Sequence, residues 1–163
     1  MPGPQQPPKH SVSVAAAIIG DDGRFLAIRR ADNGRWEPPG GVLELEESIE
    51  SGLIREVEEE TGLRVEPVRL TGVYKNMERG IVALVFRCDV LTRARHVPDE
   101  VEEIRWLTIE ELSWMDEAYR VRLLDALDSA SPRVRAHDGT HLLVERLPRR
   151  DADGDARRDR EPT

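Results

Sequence analysis

Apolar and polar positions along this chain fall into blocks of strand or helix period, separated by turn residues. Ser11–Ile19 (SVSVAAAII) is a nearly continuous apolar run of strand length, and Asp21-Asp22-Gly23 supplies a turn after it. Phe25–Arg29 (FLAIR) reads as the returning strand of a hairpin. Ala31–Gly41 is predicted to be a loop, broken by Asn33-Gly34 and by Pro38-Pro39-Gly40-Gly41. A helix should start near Ser48, a good N-cap, and stop at Gly62, a good residue for a left-handed terminus. Leu63–Tyr74 and Ile81–Val90 read as strands joined by a polar turn around Asn76–Gly80, and Val101–Leu107 as a further short strand. Thr108–Leu112 and Glu117–Leu127 look helical, and Arg133–Arg146 a small hairpin turning at Asp138-Gly139.

That order, strands then a helix then strands then a helix, predicts an α/β fold: a mixed sheet covered by helices on both faces. The length of 163 residues suits one domain with a real core. Residues 1–10, rich in Pro and Gln, read as a flexible tail, residues 11–147 as the domain, and residues 148–163, charged and nearly free of apolar side chains, as a disordered tail. There are no internal repeats. The single cysteine, Cys88, lies in an apolar run, which excludes an internal disulfide and a thiolate zinc cluster and suggests a small buried hydrophobe. No stretch reaches the ~18 apolar residues of a membrane span, and the N-terminal ten residues lack the apolar core of a signal peptide. The expected location is the cytoplasm.

Charge changes the picture once it is mapped. Of the net −8, most comes from Gly41–Gly62, where Glu44, Glu46, Glu47, Glu50, Glu56, Glu58, Glu59 and Glu60 face one base, Arg55. Binding of nucleic acid through a basic face is therefore not expected. On a helix, Glu56, Glu59 and Glu60 project to one side, since Glu56 and Glu60 are only about 40° apart around the axis. Like charges at that spacing repel, and hard divalent cations, which prefer carboxylate oxygens, remove the penalty. Ile49, Leu53 and Val57 form an apolar stripe that would hold those glutamates at the edge of the sheet, and Gly52, within the same arc, would leave room there for phosphate oxygens.

Residues 41–63, GVLELEESIESGLIREVEEETGL, resemble the Nudix box (the MutT-like signature), G-x5-E-x7-R-E-U-x-E-E-x-G-U with U aliphatic. Gly41, Glu47, Arg55, Glu56, Val57, Glu59, Glu60, Gly62 and Leu63 fill every specified position. The resemblance implies the Nudix fold, an α/β/α sandwich, and Mg²⁺-dependent hydrolysis of a diphosphate linkage, with Mn²⁺ as a substitute ion. It implies Glu56, Glu59 and Glu60 as metal ligands with the Gly40 carbonyl beside them, and Arg55 paired with Glu47 to orient the loop. The general base is left among Glu56, Glu59 and Glu100, because Asp99–Trp106 resembles the family's E-x5-W segment; Glu103 is the other acid there. Trp36 belongs to a W-x-x-P-G-G lead-in and either orients the loop or meets substrate.

The implied reaction is attack of water on phosphorus in a nucleoside diphosphate derivative. Arg29, Arg30 and Lys75 are candidates for distal phosphate or sugar groups, and Trp36, Phe25 and Tyr74 for stacking on a base, while Phe86 and Trp106 are assigned to the core. A (d)NTP pyrophosphohydrolase, including the 8-oxo-dGTP type, is the first expectation, since no N-terminal extension for swapped dimerisation is evident. An ADP-ribose or nucleotide-sugar diphosphatase is the second. A nucleotide-binding regulatory module without turnover is the third, although such modules usually lose box carboxylates and none is lost here. A homodimer is left open. Asp151–Asp155 fails as a calcium loop because its glycine is at the wrong position. The four histidines lack ligand spacing, and the serines lack a nucleophile-elbow context.

Overall fold

In the computed structural model, residues 3–93, 101–128 and 130–144 are described. The strands are β1 (Ser11–Ile18), β2 (Phe25–Arg30), β3 (Trp36–Glu37), β4 (Gly40–Val42), β5 (Leu63–Asn76), β6 (Ile81–Arg93), β7 (Val101–Leu107), β8 (Arg133–His137) and β9 (Leu142–Leu143). The helices are α1 (Ile49–Thr61) and α2 (Glu117–Asp125), with a 3₁₀ turn at Glu110–Trp114. A six-stranded mixed sheet runs β4-β1-β6-β5-β8-β9, and a three-stranded antiparallel sheet runs β3-β2-β7. The parallel pairs are β1 with β6 and β5 with β8.

Strand β1 explains the layering. Val14, Ala16 and Ile18 pack with Leu53 and Val57 of α1, whereas Ala15 and Ala17 pack with Phe25, Leu112 and Leu123 on the opposite face. Both faces are covered, giving the α/β/α sandwich; a strand buried on both sides has no polar alternation to show. The β1–β2 hairpin expected from the turn at Asp21–Gly23 does not form as a ladder. Only an isolated bridge, Ile19 to Phe25, links the two strands. β1 is claimed on one edge by β4 and on the other by β6, so β2 turns away to build the second sheet. The predicted loop 31–41 likewise contains β3 and β4, whose pairing is supplied by β2 and β1.

Cys88 is buried, with burial pushing its thiol up to about 12. It is inert, as its apolar setting suggested. Among the described residues, no helix is long and apolar enough to cross a membrane.

Candidate active site

Helix α1 is bounded by local chemistry. The Ser48 side chain accepts a hydrogen bond from the Ser51 amide at 3.2 Å, and Gly62, at φ 69°, closes the other end with its amide donating to the Glu58 carbonyl at 2.8 Å. Leu53 and Val57 are fully buried against β1; Ile49, the third member of the expected stripe, is 40% exposed in the first turn. Two anchored residues are enough to fix which way the glutamates face.

Two glycines bring β4 against that helix. A Cβ on Gly40 would stand 2.2 Å from the Val14 carbonyl oxygen, and one on Gly41 would stand 2.4 Å from the Glu56 carboxylate. Only a bare backbone can run between β1 and Glu56. The Pro-Pro-Gly-Gly sequence is thus a close approach rather than a loop.

Arg55 gathers the surrounding acids. Its Nε donates to Glu47 Oε2 at 2.9 Å and its Nη2 to Glu47 Oε1 at 2.6 Å, a two-pronged pairing. Its Nη1 donates to Glu56 at 3.0 Å and Glu59 at 3.2 Å. Glu47 Oε1 also accepts from the Glu44 amide at 2.9 Å, which folds residues 44–47 into a tight turn. These bonds, the Arg55 pairing foremost, hold the Glu47 carboxyl down at about 2. Gly52 has a different role from the one its spacing suggested. The space beside it is filled by Leu43 and Glu47, at 2.4 and 2.8 Å from where a Cβ would be, so it admits the loop and not a phosphate.

Glu60 lies in the opposite electrostatic condition. Its Oε2 is buried without a hydrogen-bond partner among the described residues. Burial, reinforced by the charges of Glu56 and Glu37, raises its carboxyl to about 8, with the Gly40 amide acting in the opposite direction. Burial also raises Glu56, against the pull of Arg55. Glu37, a residue the sequence reading missed, is raised by burial while Arg30 donates to it at 3.2 Å. Arg30 in turn is held by Asp32 at 2.8 and 2.9 Å. Among the described residues, no three acidic, imidazole or thiol groups already converge as a ligand set. The donor chemistry nevertheless fits a hard divalent cation: an orphaned buried oxygen on Glu60, a neighbour in Glu56 whose carboxyl burial raises, and Glu59 tethered by Arg55.

A cleft of about 250 Å³ opens from this edge, lined by Gly40, Gly41, Glu37, Arg79, Tyr119 and Arg122 among others. An outer hollow of about 440 Å³ shares Arg30, Glu37, Arg79 and Tyr119 with it and continues to Asp138. Two of the expected base-stacking residues are misplaced. Phe25 and Tyr74 are fully buried, Phe25 in the core beneath β2 and Tyr74 with its hydroxyl donating to Asp125 at 2.7 Å, so neither can meet a ligand. Arg29 and Trp36 stand together on the second sheet: Arg29 pairs with Glu102 and Glu103 at 3.1 and 3.4 Å and covers the Trp36 ring at 5.7 Å. Trp36 also packs on Trp114, with centroids 5.9 Å apart. It is Arg30, pointing to the other face of the same strand, that lines the cleft. Lys75 faces a separate surface beside Met77 and Val134. Glu100 lies outside the described residues, and Glu103 is occupied by Arg29 and Arg105.

Residues 9–127 match the family described as NUDIX domain. The chain is 61% identical over 138 residues to a MutT-like protein of Streptomyces ambofaciens, covering 84% of this chain and 90% of that one. It is 31% identical over 110 residues to an ADP-ribose pyrophosphatase of Methanocaldococcus jannaschii, covering 63% of this chain and 65% of that one. Among solved structures, the MutT protein of Methanosarcina mazei Go1 superposes with a TM-score of 0.60 at 31% identity, over 71% of this chain and 91% of that one.

Proposed function

The chain belongs to the NUDIX family, whose hydrolases act on pyrophosphate-containing substrates, and from that premise we propose that it cleaves the diphosphate linkage of a nucleotide with the aid of Mg²⁺. The observation that carries this reading is the unpartnered buried oxygen of Glu60, set beside Glu56 and Glu59 where a diglycine lets the backbone pass. Glu56, Glu59 and Glu60 would hold the cation, with the Gly40 backbone beside them. A divalent cation there, Mg²⁺ or in its place Mn²⁺, supplies neutralisation of diphosphate charge and a lowered pKa for the attacking water. Arg55 and Glu47 do not touch substrate in this reading; their pairing keeps the turn at residues 44–47 and the side chains of Glu56 and Glu59 in one arrangement. The proton of the attacking water passes to a carboxylate, Glu56, Glu59 or Glu100. The oxygen–phosphorus bond of the anhydride then breaks, leaving two phosphorylated products.

A nucleoside triphosphate is the first substrate class, because the 250 Å³ cleft passes Gly41, whose backbone abuts the Glu56 carboxylate, and suits one nucleoside. ADP-ribose is the second. It needs a further compartment, which the 440 Å³ outer hollow supplies, and the archaeal relative carries that name. The test is a panel of NTPs, dNTPs, 8-oxo-dGTP, ADP-ribose and nucleotide sugars with Mg²⁺, run on the native chain and on Glu60→Gln. The native chain should turn over at least one class, and Glu60→Gln should lose on the order of 10²–10³-fold in kcat with its circular dichroism unchanged. Undiminished turnover in Glu60→Gln would remove the metal assignment, and inactivity of the native chain on the whole panel would remove the hydrolase reading.

A further inference from the structure

Helix α2 carries a buried cation that no acid among the described residues pairs with directly; Glu37, which lines the same cleft, acts on it only at longer range. Arg122 is only 7% exposed, its Nε is buried without a hydrogen-bond partner, and among the described residues no carboxylate stands within ion-pair distance of it. The acid nearest in sequence on the same helix, Asp125, is already taken by Tyr74 at 2.7 Å and by both prongs of Arg135 at 2.7 and 2.8 Å. Among the described residues, the one polar contact of Arg122 is from Nη2 to His137 Nε2 at 3.4 Å. That contact does not satisfy it. A neutral imidazole offers one lone pair, and His137 Nδ1 already accepts from the Gly139 amide at 3.0 Å. The ring proton therefore belongs on Nε2, so Arg122 and His137 turn two donors toward one another with no acceptor between them. Burial and the Arg122 charge both keep His137 below its usual pKa, which holds the ring neutral.

The guanidinium is also held flat. It lies over the Tyr119 ring at 4.7 Å and the Tyr74 ring at 5.3 Å, and both Arg122 and His137 line the inner cleft next to Gly41. A fixed planar fork with an adjacent N–H and no protein acceptor is built to receive acceptors from a ligand. Retaining an unpaired buried charge works against stability, which is the usual mark of a residue kept for function.

We infer that Arg122 and His137 form a donor-only subsite that takes the adjacent oxygen and nitrogen acceptors on the edge of a 6-oxopurine, in preference to adenine. Arginine reads such an edge through two parallel hydrogen bonds to O6 and N7, whereas adenine presents an amino donor in place of the oxygen. The inference rests on the nucleotide reading above but not on its chemistry.

The experiment measures binding with EDTA present, so that nothing is turned over. Inosine diphosphate, ADP and pyrophosphate are titrated calorimetrically into the native chain, Arg122→Met and Arg122→Lys. The native chain should bind inosine diphosphate about tenfold to a hundredfold more tightly than ADP. Both variants should lose that preference, Arg122→Lys because it keeps the charge without the fork. The ligand-free Tm of Arg122→Met should equal or exceed that of the native chain. Equal or undetectable binding of the two nucleotides, or a preference that survives in Arg122→Met, would overturn the subsite. So would a lowered Tm in that variant, as the sign of a structural role, or pyrophosphate binding that alone depends on Arg122. Such a failure alongside intact Glu60-dependent hydrolysis sinks the subsite alone; absence of hydrolysis leaves the binding result to stand by itself.

Discussion

Arg55 and Arg122 sit on helices that pack against opposite faces of the same sheet; Arg122 lines the inner cleft, whereas Arg55 stands behind the diglycine that borders it. Their surroundings are reversed. Arg55 is partly exposed and answered by Glu47, Glu56 and Glu59 at 2.6–3.2 Å, so its charge is spent on holding other side chains in place. Arg122 is buried with two tyrosine rings and a histidine that has no lone pair to spare. Behind the diglycine the protein has surplus acceptors, most sharply at Glu60, and at the α2 side of the cleft it has surplus donors. A diphosphate with its cation answers the first end and a base edge the second. Neither end is satisfied by the protein alone, whereas the Glu47–Arg55 and Asp125–Arg135 pairs are. Satisfied arginines act as framework, and unsatisfied groups mark where a ligand completes the hydrogen bonding.

The comparison can be broken most severely at Gly41. Gly41→Ala places a methyl group within 2.4 Å of the Glu56 carboxylate and should displace it. A loss of about a hundredfold in kcat/KM is expected, from misplacement of reacting groups by an ångström. Nucleotide binding in EDTA, which depends on the Arg122 end, should be nearly unchanged. Loss of both together would show that the two ends are not separable.

A smaller effect, and one that sharpens the contrast between Glu47 and Glu60, is the pH dependence of stability without metal. The Glu60 carboxyl is raised from 4.5 to about 8 on folding, so the folded chain binds that proton more tightly than the unfolded one. Its stabilising contribution is complete below 4.5 and is lost as pH rises through about 8. Glu47 runs the other way: lowered from 4.5 to about 2, it contributes above 4.5 and is lost as pH falls toward 2. Thermal melts in EDTA should thus show Tm declining on the alkaline side of neutrality, and saturating Mg²⁺ should flatten that decline while leaving the acid limb unchanged. An alkaline limb indifferent to Mg²⁺ would separate Glu60 from the cation.

The smallest effect belongs to Gly52. Gly52→Ala gains helix propensity of about 1 kcal/mol but pushes on the end of the Leu43 side chain and on the Glu47 carboxylate that Arg55 holds. The two should nearly cancel in Tm, and kcat should hold, since the residue faces the turn at 44–47 rather than substrate. A large gain in KM for nucleotide would restore the earlier view of Gly52 as room for phosphate.

What the sequence disclosed was mostly local. Ser48 and Gly62 bound α1 because caps act within a turn of themselves, and nine box residues at fixed spacing located the acidic face before any fold was known. Strands β3 and β4 were illegible for the converse reason. A Pro-Pro-Gly-Gly stretch has no strand preference of its own, and becomes strand only because the free edge of β1 pairs with it. Phe25 and Tyr74 were expected to stack on a base because a ring's place in the chain does not by itself say which face of its strand it takes. The unbroken apolar run of β2 was the available signal that Phe25 lies inside. Nothing local marks Arg122, whose burial comes from Tyr74 on β5 and His137 on β8, strands on either side of α2 in the sequence.

The two partners of β1 arrive late. Gly40–Val42 must be made before one edge is covered, and Ile81–Cys88 before the other, in parallel register with Ser11–Ile18. During synthesis the first strand therefore waits for its β6 partner while the acidic helix that packs on it is being completed. Non-local pairing of this kind slows folding and prolongs exposure of an apolar edge. The acidic segment is thus translated ahead of the sheet that gives it a fixed orientation, and its glutamates are set in place once β6 closes the centre.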